Sequence, residues 1–235
     1  MGRRRRCIYL VELFSGSRSV SKAVRRCFRD HFDVRVLSVD TDAASRPSIV
    51  ADINTWRYKE DLRYFLADKR QSDMLFVWMS PPCTSFSRAN TTGVRDLQGG
   101  RRNVLSGLKI TRYLSPDAWF LENPVGLLME QDFMQKLKKH LNIVSYCRYG
   151  KPYRKNTCIW TPVARLGLKV CAGETRCKAK TVLGFHPVTA QSGGTARALG
   201  SGGGRNVYPI PSALVRHLFR KAVEQVDGES PGRSG

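Results

Sequence analysis

The stretch MLFVWMSPPC, residues 74–83, decides the fold. Six apolar residues in a row are typical of a strand that is buried on both faces, as in a parallel sheet. The two prolines end that strand and stiffen the loop behind it, because a proline fixes its own φ and restricts the residue before it. The stretch therefore predicts a central strand whose carboxyl end presents Cys83 with little conformational freedom.

Further strands and helices alternate on either side of this central strand. Short apolar runs predict strands at 7–14, 34–39, 49–51, 118–121, near 143–149 and at 158–161. Apolar residues at three- and four-residue spacing predict helices at 20–28, 62–66, 133–141 and 214–226, the last with Ser212 as its N-cap. This alternation predicts an α/β fold with a mixed, mostly parallel sheet and helices on both faces.

Polar or reactive residues follow five of the predicted strands. They are Ser15-Gly16, Asp40, Asp52, Ser80 to Cys83, and Glu122-Asn123. In open sheets of this kind, ligands bind at the carboxyl ends of the strands. The five strand ends therefore predict one cleft.

The composition of the 235-residue chain limits its class. Hydrophobic residues make up 41% of it, as in a globular protein, and 40 Lys and Arg against 19 Asp and Glu leave a net charge of +21. Such an excess favours a polyanionic partner, nucleic acid above all, although a solvated basic surface or an architectural protein would also explain it. Seven cysteines, an odd number, and no apolar run of about 18 residues predict an intracellular protein, nuclear or cytoplasmic.

The chain divides into five segments by composition. We predict a basic arm at 1–6, a catalytic core at 7–162, a short, irregular, basic and glycine-rich region at 163–205, a segment at 206–226 that completes the core, and a disordered tail at 227–235. The region 163–205 carries six cations: Arg165, Lys169, Arg176, Lys178, Lys180 and Arg197.

Cys83 is the residue with the clearest chemical potential. A thiolate is the nucleophilic form of cysteine, and we expect a partly exposed site among many cations to lower the pKa of this thiol. Most free cysteines are small buried hydrophobic residues, so position distinguishes Cys83 from the other six.

Several ordered blocks resemble the cytosine-C5 methyltransferase family. The blocks are VELFSG at 11–16, PPC at 81–83, ENP at 122–124, KPYRKNT at 151–157 and GRNVYPIP at 204–211, and together they span about residues 7 to 225 in the family's usual order. One departure lies in the first block, where the family's Gly-x-Gly is Gly16-Ser17-Arg18. The resemblance implies a Rossmann-like fold that uses S-adenosylmethionine.

The same resemblance implies a catalytic set. Cys83 would attack C6 of a cytosine, and Glu122 would hold a proton against N3 of the ring. A cation from Arg154 or Lys155 would support Glu122: alignment on Pro152 favours Lys155, whereas charge favours Arg154. A cytosine in a duplex would have to be flipped out to expose its C6 face.

For the cofactor, the resemblance places Phe14 near the adenine and the Gly16 loop near the methionine end. Asp40 would bind the ribose hydroxyls, and Asp52 would read the adenine amino group. The whole expected cofactor set is Phe14, Ser15, Gly16, Ser17, Asp40, Thr41, Asp52, Ile53, Ser80, Pro81 and Asn206.

A second candidate site lies in the irregular region. Cys171, Cys177 and His186 are plausible zinc ligands, with Cys158 or Cys147 as a fourth. The alternative is free cysteines in a loop.

DNA is the partner that the resemblance favours, read in a short sequence context because the region 163–205 offers few side chains for base recognition. Two alternatives stay open. One is methylation of tRNA by the same apparatus, and the other is an inactive, DNA-binding regulatory homologue. Intact Cys83 and Glu122 argue against the second.

Overall fold

The protein is described by a computed structural model. The structure describes residues 5–88, 94–171, 177, 186, 188–189 and 209–229.

A seven-stranded sheet forms the centre, in the order β3-β2-β1-β4-β5-β8-β6. Its strands are β1 (Cys7–Leu13), β2 (Asp33–Asp40), β3 (Ile49–Val50), β4 (Met74–Met79), β5 (Ala118–Pro124), β6 (Leu141–Ser145) and β8 (Asn156–Trp160). The pairs among β1 to β5 are parallel, and β8 runs antiparallel to both β5 and β6. The predicted mixed, mostly parallel α/β fold is confirmed. The short strands β7 (Tyr153–Arg154) and β9 (Val188–Thr189) form a separate parallel pair.

Helices cover both faces of the sheet. Among the described residues the α-helices are α1 (Ser19–Phe28), α2 (Tyr58–Phe65), α3 (Leu97–Leu114) and α4 (Ser212–Glu229). Residues of α1 and α4 pack in one hydrophobic core, and residues of α2 and α3 pack in a second. Alternate residues of β4 enter the two cores, with Trp78 in the first and Met79 in the second. The apolar run at 74–79 is therefore buried on both faces, as predicted.

Several predicted boundaries differ from the structure, and three of the differences have a clear physical reason. The strand predicted near 143–149 ends at Ser145, because the chain turns there into a 3-10 helix, Tyr146–Tyr149, that Gly150 closes with a φ of 91°. The helix predicted at 133–141 is a 3-10 helix, Asp132–His140, and Leu141 already belongs to β6. Helix α4 continues to Glu229, since no proline interrupts it, so the disordered tail predicted from 227 is wrong for residues 227–229; residues 230–235 lie outside the described ranges.

None of the helices in these ranges has the length and apolar character that a membrane crossing requires.

Candidate active site

Cys83 begins a short 3-10 turn, Cys83–Ser85, directly behind β4. The loop before it is tied to the next strand, because the Asn123 side-chain amide donates a hydrogen bond of 3.0 Å to the carbonyl oxygen of Pro81. The turn is also tied on its other side, where the backbone N–H of Leu127 donates to the carbonyl oxygen of Phe86 at 2.9 Å. The half-buried thiol is thus held between the carboxyl ends of β4 and β5.

Two glycines let neighbouring segments approach this turn closely. A Cβ on Gly100 in α3 would lie 2.7 Å from the Cβ of Ser85, and a Cβ on Gly126 would lie 2.5 Å from the carbonyl oxygen of Phe86. Sequence reasoning missed both residues. For Gly100 the available signal was a glycine in the interior of a helix, which weakens the helix and so indicates a close approach; Gly126 lies in a bend and offers no such signal.

Glu122 lies in β5 beside the nucleophile turn and is buried. The hydroxyl of Tyr146, itself fully buried, donates a hydrogen bond of 2.9 Å to Oε1 of Glu122. The Nζ of Lys155 lies 3.8 Å from the same oxygen and 4.9 Å from the centroid of the Tyr146 ring. One carboxylate oxygen therefore faces both a neutral donor and a cation. Sequence reasoning missed Tyr146, which fell inside the strand predicted near 143–149.

The structure brings Lys155, and not Arg154, to Glu122. The Lys155 side chain is only 14% exposed, whereas Arg154 is exposed and its Nε donates to the side-chain oxygen of Asn156 at 3.4 Å. Adjacent residues of an extended chain point to opposite sides, so only one of the pair faces the carboxylate. The alignment on Pro152, which favoured Lys155, therefore chose the residue that lies beside Glu122.

The pKa of the Cys83 thiol is shifted in the direction opposite to the expected one. Burial raises the pKa of the Cys83 thiol; nearby Lys155 lowers it and Glu122 raises it, and burial is the largest of the three effects. The expected lowering of the Cys83 pKa is therefore wrong, because the turn lies deeper than its position in the sequence suggested. Burial and the neighbouring carboxylate also raise the pKa of Tyr146 well above its ordinary value, which keeps its hydroxyl protonated and donating.

The expected cofactor residues line the carboxyl ends of β1 to β3. Phe14 and Gly16 both adopt left-handed backbone conformations, with φ of 56° and 44°. The backbone N–H of Gly16 donates to Oδ2 of Asp40 at 2.7 Å, which joins the end of β1 to the end of β2. Arg18 also has a positive φ, of 55°, at the position where the family pattern has its second glycine. The loop thus keeps a glycine-like path despite the arginine.

Two observations show that this loop fits a ligand of the expected kind. The buried Oγ of Ser15 has no hydrogen-bond partner among the described residues, and a buried hydroxyl of this kind usually has one. The space beside Gly16 is open, since a Cβ there would meet nothing within 4 Å. The loop therefore offers both space and a polar atom to a ligand at this edge of the sheet.

The other expected cofactor residues are placed less uniformly. Asp52 is exposed and accepts hydrogen bonds of 2.9 Å from the backbone and side chain of Asn54, and Ile53 behind it is buried. Ser80 accepts a hydrogen bond of 2.7 Å from the indole N–H of Trp78. Thr41 is exposed, Pro81 is buried and Ser17 is half-buried. Asn206 lies outside the described residues, as does most of the predicted block at 204–211.

Cys147, Cys171, Cys177 and His186 form a second group, which we call the Cys/His cluster. Their ligand atoms all lie within 4.8 Å of one another. Of the two residues expected as a fourth member, the structure brings in Cys147, whereas Cys158 lies in the core of the sheet with its sulfur 4.0 Å from that of Met129.

Comparison with known proteins identifies relatives of the chain. The protein named "Probable DNA (cytosine-5)-methyltransferase" of Frog virus 3 (isolate Goorha) is 28% identical over 229 residues, with 89% of this chain and 98% of the viral protein covered. No protein-family model matches the chain. The predicted resemblance to the cytosine-C5 methyltransferase family is confirmed by this relative.

Two solved structures are similar in fold. The S. pombe Dnmt2 methyltransferase has a TM-score of 0.46 at 17% identity, covering 65% of this chain and 50% of that one. A mutant of Spodoptera frugiperda DNMT2 has a TM-score of 0.43 at 19% identity, covering 64% and 49%. The chain spans about half the length of these solved structures.

Proposed function

We propose that the protein is a DNA (cytosine-5-)-methyltransferase, which transfers a methyl group from S-adenosylmethionine to C5 of a flipped-out cytosine through a covalent Cys83 adduct. The observation that carries the proposal is the arrangement at β4 and β5. A cysteine on a turn held by Asn123 lies beside a buried glutamate that contacts Tyr146 and Lys155. The name of the viral relative supports the same activity.

The first step uses Cys83 as the nucleophile. Its sulfur forms a bond to C6 of the cytosine, the C5–C6 π electrons move toward C5, and negative charge develops around N3 and O2 of the ring. Lys155 favours the thiolate electrostatically, and among the described residues it is the cation that lowers the pKa of Cys83. Burial opposes this ionisation, in which the thiol proton passes to solvent.

Glu122 stabilises the ring during this step. A proton held between its carboxyl group and N3 offsets the developing negative charge, and a donor already in position needs no reorganisation. Tyr146 and Lys155 orient the carboxyl group by contacting Oε1, which leaves Oε2 to face the base. In the last step a general base removes the proton from C5. The electron pair of that C–H bond reforms the C5–C6 double bond, and the Cys83 sulfur leaves.

S-adenosylmethionine supplies an electrophilic methyl group when it is bound. Phe14, Ser15 and Gly16 would surround it at the end of β1, and Asp40 would accept from its ribose while also fixing the Gly16 amide. A zinc ion at the Cys/His cluster would stabilise the structure and would not act on the cytosine ring, because four protein ligands leave no open coordination position.

DNA is the proposed substrate because the viral relative is named as a probable DNA methyltransferase and because the chain is strongly basic. The net charge of +21 suits a polyanion, and most of the binding energy of such proteins comes from phosphate contacts. A cytosine within a duplex hides its C6 face by stacking, so the reaction requires the base to be flipped out. The short region at 163–205 favours recognition of a few base pairs only.

Transfer of a tritiated methyl group to duplex plasmid and, in parallel, to tRNA tests the proposal. We expect label in the plasmid, mapped by bisulfite sequencing to cytosines in a short context, and no label with Cys83→Ala. Cys27→Ala, at a half-buried cysteine of α1 that packs against the first hydrophobic core, is the matched control and should keep full activity. Label in tRNA alone would overturn DNA as the substrate, and activity of the Cys83→Ala variant would overturn the mechanism.

A further inference from the structure

The Cys/His cluster lies apart from both hydrophobic cores. Cys147, Cys171 and Cys177 form a small buried group of their own, and His186 completes it. The Nε2 of His186 lies 3.6 Å from the sulfur of Cys177 and 3.9 Å from that of Cys171. None of the described cysteines is joined to another by a disulfide, so a disulfide does not account for this convergence.

We propose that these four residues bind a structural zinc ion, which clamps the segment after β8 onto the turn that carries Tyr146. Zinc–sulfur bonds of about 2.3 Å and zinc–nitrogen bonds of about 2.1 Å at tetrahedral angles separate a sulfur from a nitrogen by about 3.6 Å. The observed separations of 3.6 and 3.9 Å match that geometry. Three thiolates and one imidazole are a donor set that selects zinc over the hard cations.

The donor set also indicates the role of the metal. A catalytic zinc keeps one coordination position open, whereas four protein ligands close the site and make it structural. The four ligands come from two parts of the chain. Cys147 belongs to the 3-10 turn Tyr146–Tyr149, and the other three lie within residues 171–186. One ion would therefore join the core to the segment that follows it.

Hydrogen bonds already lay the beginning of that segment against the same turn. The backbone N–H of Cys171 donates to Oγ of Ser145 at 2.9 Å, and the backbone N–H of Ser145 donates to the carbonyl oxygen of Lys169 at 3.1 Å. The backbone N–H of Lys169 in turn donates to the Tyr149 hydroxyl at 3.2 Å. The metal would extend this contact from Cys171 to Cys177 and His186.

The position of Cys147 connects the clamp to the active site. Cys147 directly follows Tyr146, whose hydroxyl contacts Glu122, and Ser145 on the other side donates its hydroxyl to Asn156, the neighbour of Lys155. A metal that holds this turn would hold both contacts to the Glu122 carboxylate. This consequence, unlike metal binding itself, rests on the proposed function.

Metal analysis of the full chain tests the inference. We expect about one equivalent of zinc in protein purified without chelators and without a polyhistidine tag. Growth with cobalt should produce the intense visible bands of a tetrahedral thiolate site. Cys147→Ser, Cys171→Ser and Cys177→Ser should each lose most of the metal, whereas Cys158→Ser, a buried cysteine of β8, should keep it. Less than about a tenth of an equivalent in the unaltered protein would overturn the proposal.

One further variant guards the test against a failure of folding. If Cys147→Ser fails to fold, Cys147→His supplies another zinc ligand at the same place and should retain metal. Loss of zinc from Cys158→Ser with retention in Cys147→Ser would overturn the proposed ligand set. One equivalent of zinc in a protein without methyl-transfer activity would refute the proposed function and leave the metal site standing. Retained methyl transfer after zinc removal would overturn the proposed clamp on Glu122.

Discussion

The two halves of the sheet edge are built differently. At β4 and β5, the nucleophile turn and Glu122 are held by contacts between elements far apart in the sequence, such as Asn123 with Pro81 and Tyr146 with Glu122. At β2 and β3, the acids are largely satisfied by their own neighbours: Asp40 accepts from the backbone of Asp42, and Asp52 accepts from Asn54. Two backbone donors of the first loop also join this half, the cofactor half, to β2: Gly16 donates to Asp40 at 2.7 Å, and Ser15 donates to the carbonyl oxygen of Val39 at 3.1 Å.

The catalytic half of this edge, at β4 and β5, is the preorganised one. A carboxylate oriented by buried partners costs little reorganisation during a reaction, so the catalytic half is built before any ligand arrives. The cofactor half has an open loop at Gly16 and a buried Ser15 hydroxyl without a partner among the described residues, so a ligand would complete it. Substitutions in the catalytic half should therefore reduce the rate of reaction, and those in the cofactor half should reduce binding.

Replacement of Glu122 by Gln should show the largest effect. The variant keeps the shape of the side chain and loses the acid, so we expect the rate of methyl transfer to fall by about 100- to 1,000-fold. Affinity for S-adenosylmethionine, measured by calorimetry, should stay unchanged. Equal loss of rate and affinity would mean that the two halves are not separable.

Replacement of Lys155 by Met should shift the pH profile of Cys83. The nearby cation lowers the pKa of the thiol, so its removal raises that pKa, and alkylation by iodoacetamide should then require higher pH. At neutral pH, methyl transfer should fall by about tenfold, since a contact with a charged group contributes on the order of 1–2 kcal/mol. The matched control is Arg154→Met, at an exposed position that faces away from Glu122. A shift in Arg154→Met and none in Lys155→Met would mean that Arg154 is the cation that acts on Cys83.

Replacement of Asp40 by Ala should act on the cofactor half alone. It removes the acceptor for the Gly16 amide and for the expected ribose hydroxyls, so the affinity for S-adenosylmethionine should fall by about tenfold. The rate of Cys83 alkylation without cofactor should be unchanged. An altered alkylation rate would show that the Gly16 loop also positions the nucleophile turn.

Replacement of Arg18 by Gly should have the smallest effect, and of opposite sign. A left-handed conformation costs a residue other than glycine roughly 1 kcal/mol, so relief of it should stabilise the protein by up to about 1 kcal/mol. Arg26→Gly, on the exposed side of α1, is the matched control and should destabilise by about the same amount. Thermal unfolding checks both. Destabilisation by Arg18→Gly would mean that the arginine side chain contributes more than its backbone costs.

The sequence predicted the sheet and the placement of Cys83 and Glu122, because both follow apolar runs whose carboxyl ends must meet. The sequence left two candidates, Arg154 and Lys155, for the cation that contacts Glu122. Adjacent residues of an extended chain point to opposite sides, so the choice between them requires the direction of the Glu122 side chain, which only the structure gives. Tyr146 escaped prediction because a turn ending at Gly150, and not a strand, points it at the carboxylate. The pKa of Cys83 was predicted with the wrong sign, since burial is a property of the packed turn and not of nearby charges in the sequence.

Covalent trapping with a fluorinated cytosine tests whether Cys83 forms the proposed adduct. A duplex oligonucleotide with 5-fluorocytosine at the target position is incubated with the protein and S-adenosylmethionine, and the mixture is separated under denaturing conditions. Fluorine cannot leave as a proton does, so the account predicts a stable conjugate whose DNA is attached to the peptide containing Cys83, and none with Cys83→Ala. Methylated product without a conjugate, or a conjugate on another cysteine, would contradict the account.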